Sequence, residues 1–169
     1  MFRLFKRNWS CKTCGKVHDD LPICFGVKAP WLDLVPEEEF EQRVDLTNDQ
    51  CVVDETVFFI RGLIEIPILG HGESLAFSVW SSLSRASFDH MTDRWNDPGR
   101  ANDPPYFGWL SSTLPPYPTH KHLPLSVQVR DRGMVPLFIV VDEDHALAVD
   151  QQNGITVRRW HEIALSLLV

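Results

Sequence analysis

The chain has 169 residues, 44% of them hydrophobic and 23% charged, and a net charge of −7 at pH 7. It contains no apolar run of the ~18 residues that a membrane-spanning helix requires, which excludes such a span, and its acidic balance argues against nucleic acid as the main partner, because phosphate neutralisation calls for a basic surface. A chain of this length buries roughly 70% of the surface its unfolded form exposes, so a core forms without disulfide or metal staples.

Residues 1–18 depart from the overall charge. They carry Arg3, Lys6, Arg7, Lys12 and Lys16 with no acid, which reads as a solvated basic arm or as a contact for an acidic partner. The arm has no apolar stretch of signal-peptide length, so the expected location is the cytoplasm. Cysteines stay reduced there, and the four in this chain are expected to be ligands or core residues.

Next comes Cys11-x-x-Cys14-Gly15-x-x-His18. A thioredoxin-type pair needs an apolar strand before the first cysteine and a helix after it; "FKRNWS" is a poor strand, and Gly15 with Pro22 makes a poor helix. A zinc knuckle needs two thiolates about two residues apart on a tight turn, with glycine after the second to reach the left-handed backbone conformation. The stretch meets that demand, and Lys12 and Lys16 favour the thiolate forms. His18 is close enough in sequence to turn back onto the same ion. The other candidate ligands are Cys24, which its apolar neighbours Ile23 and Phe25 mark as an inert buried cysteine, and Cys51, which opens an expected strand. His71, His120, His122 and His145 are more remote.

Pro36 in "VPEEEFEQRV" sits at a first helical position, with three glutamates in the first turn, which predicts a short helix. "TVFFIRGLIEIPIL" and "LAFSVWSSLS" predict an antiparallel hairpin joined by the turn "GHGES". In the second strand Phe77, Val79 and Ser81 share one face, and Ala76, Ser78, Trp80 and Ser82 the other. Ser84 or Ser87 can cap a helix running to about Asp97, with Phe88, Met91 and Trp95 at helical spacing. "PPYFGWLSSTLPPYP" permits only a short strand at 107–111. "LPLSVQVRD" and "VPLFIVVD" read as strands joined by a turn at 131–133, "HALAVDQQNG" as a short helix ending at Gly154, and the C-terminal stretch as an amphipathic helix with Trp160, Ile163 and Leu167 on one stripe. The expected class is α+β: an antiparallel β-sheet with flanking helices and an N-terminal zinc-knuckle-like extension. With no repeat and no Gly/Ser linker, the expected organisation is an arm and metal-binding segment at 1–30 packed with a single domain at 31–169.

"CKTCGKVHDDLP", "DQCVVDETVFFIRGLIEIPI", "VWSSLS", "WNDPGR", "PPYFGWLSSTLPPYP" and "DHALAVDQQNGIT" together resemble, in order and across most of the chain, the successive signature blocks of the bacterial family known as domain of unknown function 2199. The resemblance implies a bacterial origin and a single-domain architecture. The family pattern has cysteine, cysteine and histidine at positions matching Cys11, Cys14 and His18, and a cysteine matching Cys51 but none matching Cys24. The resemblance thereby favours Cys51 as the fourth ligand of a structural zinc. The chain departs from the pattern in "THKHLPLSVQVRDRGMVPLFIVVDEDHA". The family has no established activity.

No catalytic set stands out. "GHGES" lacks the strand, turn and helix of a hydrolase elbow, and Gly70-x-Gly72 has no third phosphate-loop glycine. His145 among acids reads as a turn histidine ahead of a general base, and Asp54 with Arg61 as a structural pair. The aromatic and proline-rich "PPYFGWL", with Trp80, Trp95 and Tyr117, suggests either interface anchors or core rings beneath loops. The leading expectation is a non-enzymatic protein-interaction module with structural zinc. Its rivals are an immunity-type inhibitor of a basic toxin and a zinc hydrolase with an open Cys11, Cys14 and His18 site.

Overall fold

The structure, a computed structural model, describes residues 9–10, 17–18, 21–118 and 122–168. β1 (Trp9–Ser10) and β2 (Val17–His18) form an antiparallel pair, followed by β3 (Cys24–Gly26) and single 3-10 turns at Pro30–Asp33 and Glu37–Glu39. Then come α1 (Phe40–Arg43), β4 (Val44–Leu46), β5 (Gln50–Val53), β6 (Val57–Pro67), β7 (Ser74–Leu83) and α2 (Arg85–Asp93). After a 3-10 turn at Arg100–Asn102 the chain forms β8 (Tyr106–Leu110), β9 (Pro124–Gln128), β10 (Leu137–Val140), α3 (Ala146–Asn153) and α4 (Val157–Leu168).

The β6–β7 hairpin is the spine. It pairs from Phe58 opposite Leu83 to Pro67 opposite Ser74, and its turn is eased by Gly70 and Gly72, whose φ values of 76° and 80° lie in the region that favours glycine. Alternation along β7 sends Phe77, Val79 and Ser81 inward, as its sequence predicts. α2 starts at Ser84, whose hydroxyl accepts the Ser87 backbone N–H, and buries Phe88 and Met91. It stops at Asp93, so Trp95 lies beyond the helix.

The α+β composition agrees with the sequence, but the expectation of a flanked antiparallel sheet needs correction. Strands β6, β7, β8, β9 and β10 close into a five-stranded barrel, because β10 returns parallel to β6 with Leu137 opposite Leu63. β3 adds a second parallel pairing, against β7, while β5 and β4 extend the sheet beyond β6. Two glycines permit the closure. A Cβ at Gly62 would strike the Phe138 ring and come within 2.8 Å of the Pro136 carbonyl; one at Gly108 would strike Ser81 and come within 2.6 Å of the Ser82 carbonyl. The interior is filled by Ile60, Ile64, Phe77, Val79, Leu125, Val127 and Phe138, each at most 1% exposed. Burial of such a side chain stabilises by about 1.5–3 kcal/mol.

Helices and loops seal the barrel. α3 is capped by His145, whose Nδ1 accepts the Leu147 N–H at 3.1 Å, and ends at Gly154 with φ 78°. α4 buries Trp160 and Ile163, and the Trp160 indole donates to the Pro22 carbonyl. Arg100 is 2% exposed, and its guanidinium donates to the carbonyls of Trp95, Arg130, Asp131 and Met134, which ties the β9–β10 connection to the segment after α2. No helix among the described residues is long and apolar enough to cross a membrane.

A second, smaller core lies outside the barrel wall. The outward side chains of β5, β6 and β7, namely Cys51, Val53, Phe59 and Trp80, pack with Val35 beneath Ala29, Trp31 and Val44. Trp31 and Phe40 meet over it with ring centroids 4.6 Å apart and planes tilted by 58°.

Candidate groove on the outer barrel face

Across the outer face runs a row fixed by strand register: Phe59 lies opposite Ser82, and Ser82 opposite Trp109. This row floors an open groove of about 790 Å³. Pro30, Asp33 and Leu34 from the first 3-10 turn form one wall, Val57 closes an end, and Ser111 with His122 forms the far rim. Apolar surface there is exposed: Trp109 is 45% accessible, Leu34 48% and Val57 38%. Phe107, two residues along β8 and on the same face, meets the Trp109 ring edge-on at 5.1 Å, and so extends the apolar strip.

Strand alternation explains why these rings face outward. In "YFGWL" Gly108 and Leu110 take the buried positions, which leaves Phe107 and Trp109 on the other face. The "PPYFGWL" segment therefore exposes two aromatic rings, whereas Trp80 and Tyr117 are core rings, the second of the two readings the sequence offers for them, buried at 4% and 2% exposure. The alternation was the signal that separates the two sets. The rim residue His122 holds its ring at 2.8 Å from the Leu110 carbonyl through Nδ1. A carbonyl only accepts, so Nδ1 is the donor in this bond.

Asp33, Ser82, Ser111 and His122 have the composition of a hydrolytic set, but they do not act on one another. Ser111 Oγ donates to the Trp109 carbonyl at 3.0 Å, His122 is committed to Leu110, and no hydrogen bond among the described residues joins these four side chains. Nucleophilic catalysis needs a nucleophile and base in contact, with the base oriented by a third group. The groove offers apolar contact and a few polar handles, which suits binding.

Its surroundings are strongly acidic. Between residues 31 and 60 the chain carries Asp33, Glu37, Glu38, Glu39, Glu41, Asp45, Asp49, Asp54 and Glu55 against Arg43 alone. Arg43 bridges Glu39 and Asp54, which holds the Asp54 carboxyl below the usual carboxylate range, and Arg61 pairs with Asp49. The Asp54–Arg61 pairing expected from sequence is therefore replaced by two others, because the turn after β5 carries Asp54 towards α1. No ion pair joins Asp33, Glu37 or Glu38 to a cation among the described residues.

Of the residues expected to bind zinc, Cys11 and Cys14 lie outside the described residues, as does the more remote His120. The β1–β2 pair places Trp9 opposite His18 and Ser10 opposite Val17. Cys51 is fully buried in the second core. Burial pushes its thiol up to about 11, with a smaller opposing pull from the Trp31 backbone and a slight push from Asp45. Cys24, expected from its apolar neighbours to be buried, is exposed on the short strand β3. No group of three or more His, Cys, Asp or Glu among the described residues is arranged to hold a metal.

A second polar cluster lies at the end of α2, where His90 Nδ1 meets the Tyr106 hydroxyl at 2.7 Å and Arg94 bridges Asp97 and Asp103. The His90–Tyr106 bond ties the helix to β8.

The chain belongs to the family described as uncharacterised proteins conserved in bacteria, DUF2199, which matches residues 10–155. No curated protein and no solved structure matches it.

Proposed function

We propose that this protein is a binding module of the bacterial cytoplasm: the barrel is a scaffold, the outer groove docks a protein partner, and the N-terminal hairpin holds a structural zinc through Cys11, Cys14 and His18. The observation that carries the docking reading is the exposed strip of Phe107 and Trp109 continuing into a groove whose polar side chains make no catalytic contact with one another. Aromatic rings held rigidly by a strand lose little freedom on binding, and such residues dominate interface energetics.

The antiparallel pairing of β1 with β2, on either side of the Cys11-x-x-Cys14-Gly15 sequence, supports the zinc reading, since a knuckle takes two cysteines from a turn between paired strands. Cys51 packs fully buried among Val35, Val53, Phe59 and Trp80, which accounts for it as a core residue; as the fourth ligand it would give up its proton to the metal.

A photo-cross-linking side chain at position 109, compared with one at Glu143 in the β10–α3 connection, tests the docking reading in the native cell. A single stoichiometric protein adduct at 109 but not at 143 is expected; equal labelling or none would overturn it. Elemental analysis tests the metal: one zinc per chain is expected, lost in Cys11→Ala while the barrel stays folded, and unchanged metal in that variant would refute the assignment.

A further inference from the structure

We infer that the occupant of the groove is a basic, extended protein segment, in which an arginine or lysine meets the acidic wall while a neighbouring apolar side chain lies against Trp109. The inference rests on the docking reading above and adds the chemistry of the partner. Three observations carry it. Asp33 lines the groove, and Glu37 and Glu38 follow within four residues of Leu34 on exposed backbone, so their Cα atoms lie within about 15 Å of that wall. These three carboxylates have no cation among the described residues, whereas Glu39, Asp49 and Asp54 nearby are matched by Arg43 and Arg61. Among the described residues the lining has no lysine or arginine, and its His122 already donates from Nδ1 to Leu110.

A partner cation entering here relieves repulsion between like charges and gains opposite-charge contacts. An arginine also gains a face-on contact with the Trp109 indole, an interaction that favours Arg over Lys. Nucleic acid and anionic lipid are disfavoured by the same acids, since their phosphates would face uncompensated carboxylates. Apolar contacts with Leu34, Val57 and Trp109 then supply affinity that charge on an exposed rim alone does not.

The probes are three short synthetic peptides with the same Leu and Phe anchors, one carrying arginines, one with glutamine in their place, and one with glutamate. Binding to the full-length protein is followed through the Trp109 indole N–H resonance, assigned by Trp109→Phe, at low and high salt. The arginine peptide is expected to shift that resonance and to bind at least about tenfold more tightly than the glutamine peptide, with the margin shrinking in salt. Trp109→Ala should weaken it by about tenfold or more, and the combined Asp33→Asn, Glu37→Gln and Glu38→Gln variant should bring arginine and glutamine peptides to within about twofold. All four positions are solvent-exposed, and an unchanged melting curve checks the fold of each variant. Equal affinity for the arginine and glutamine peptides would overturn the basic-partner inference while docking at Trp109 survived. No peptide binding alongside a position-109 adduct has the same meaning, whereas failure of both would remove the docking reading as well. If the chain's own basic residues 1–8 filled the groove, shown by Trp109-dependent self-association that their deletion abolishes, a foreign basic partner would be refuted.

Discussion

Adding one methyl group to Gly108 should damage the barrel more than removing the whole indole ring beside it. A Cβ at position 108 would point into the barrel, where it would strike Ser81 and approach the Ser82 carbonyl to 2.6 Å, with a Val127 methyl at 3.2 Å. The Ser82 carbonyl is backbone in the longest hairpin of the molecule and cannot swing aside. Overpacking of this kind costs about 2–3 kcal/mol, which for a domain of this size lowers Tm by roughly 5–10 °C. Trp109 faces the other way, is 45% exposed, and covers no closed cavity, so Trp109→Ala should change stability by less than about 1 kcal/mol. Urea and thermal unfolding of both variants, with Ser81→Ala added to Gly108→Ala, separate side-chain from backbone interference. Ser81→Ala should recover less than half of the loss, because it removes the hydroxyl and leaves the carbonyl in place. A Gly108→Ala protein within about 0.5 kcal/mol of the parent would show that β8 does not approach β7 this closely, and the closed barrel would have to be abandoned.

Alkaline unfolding tests the second core. The Cys51 thiol titrates from a reference of 9.0 up to about 11 in the folded chain, so between those values the unfolded chain has released a proton that the folded chain keeps. Stability should therefore fall by about 2–3 kcal/mol as pH rises through that window, and Cys51→Ala, starting less stable, should show a correspondingly shallower decline. Identical slopes would place the thiol in contact with water, and loss of metal from Cys51→Ala would make it a ligand after all. Glu55 sits at φ 56° in the β5–β6 turn, directly after Asp54 at φ 49°, and its carbonyl accepts from Arg85. Glu55→Gly keeps that bond and removes the left-handed penalty, so it should stabilise by about 0.5–1 kcal/mol in denaturant titration; a destabilised variant would contradict the turn geometry.

Local elements were legible because their signals are local. A serine cap at Ser84 or Ser87, of which Ser84 is the one used, Gly154 as a helix stop and the alternation of Phe77, Val79 and Ser81 each depend on chain neighbours within a few residues. Closure of the barrel was not legible. It rests on Leu137 meeting Leu63 in parallel, a pairing that leaves no periodic mark on either strand. Its traces are Gly62 and Gly108, glycines inside otherwise β-rich runs, which are the usual sign of another group approaching closely. Cys24 shows the limit of context: its neighbours Ile23 and Phe25 pack against the barrel core, yet alternation turns Cys24 itself outward.

The same alternation relates the barrel to the groove. On β6 and β7 one set of side chains fills the barrel, while the opposite set holds the second core, and that core supports the Pro30–Leu34 wall from beneath. Cys51 contributes there through its contact with the Trp31 backbone, two residues before Asp33. A cysteine that the family resemblance favours as a metal ligand thus packs beneath the acidic wall over Phe59, Ser82 and Trp109. The closed barrel fixes the floor, because Gly108 seats β8 against β7 and so sets where the Trp109 ring can stand. The second core, through Phe59, holds the wall and one end of the floor together, and in the groove they form, exposed aromatic rings adjoin carboxylates that no cation among the described residues pairs. An apolar anchor and a cation arriving on one segment can engage both at once, which neither a flat hydrophobic patch nor an acidic loop would select.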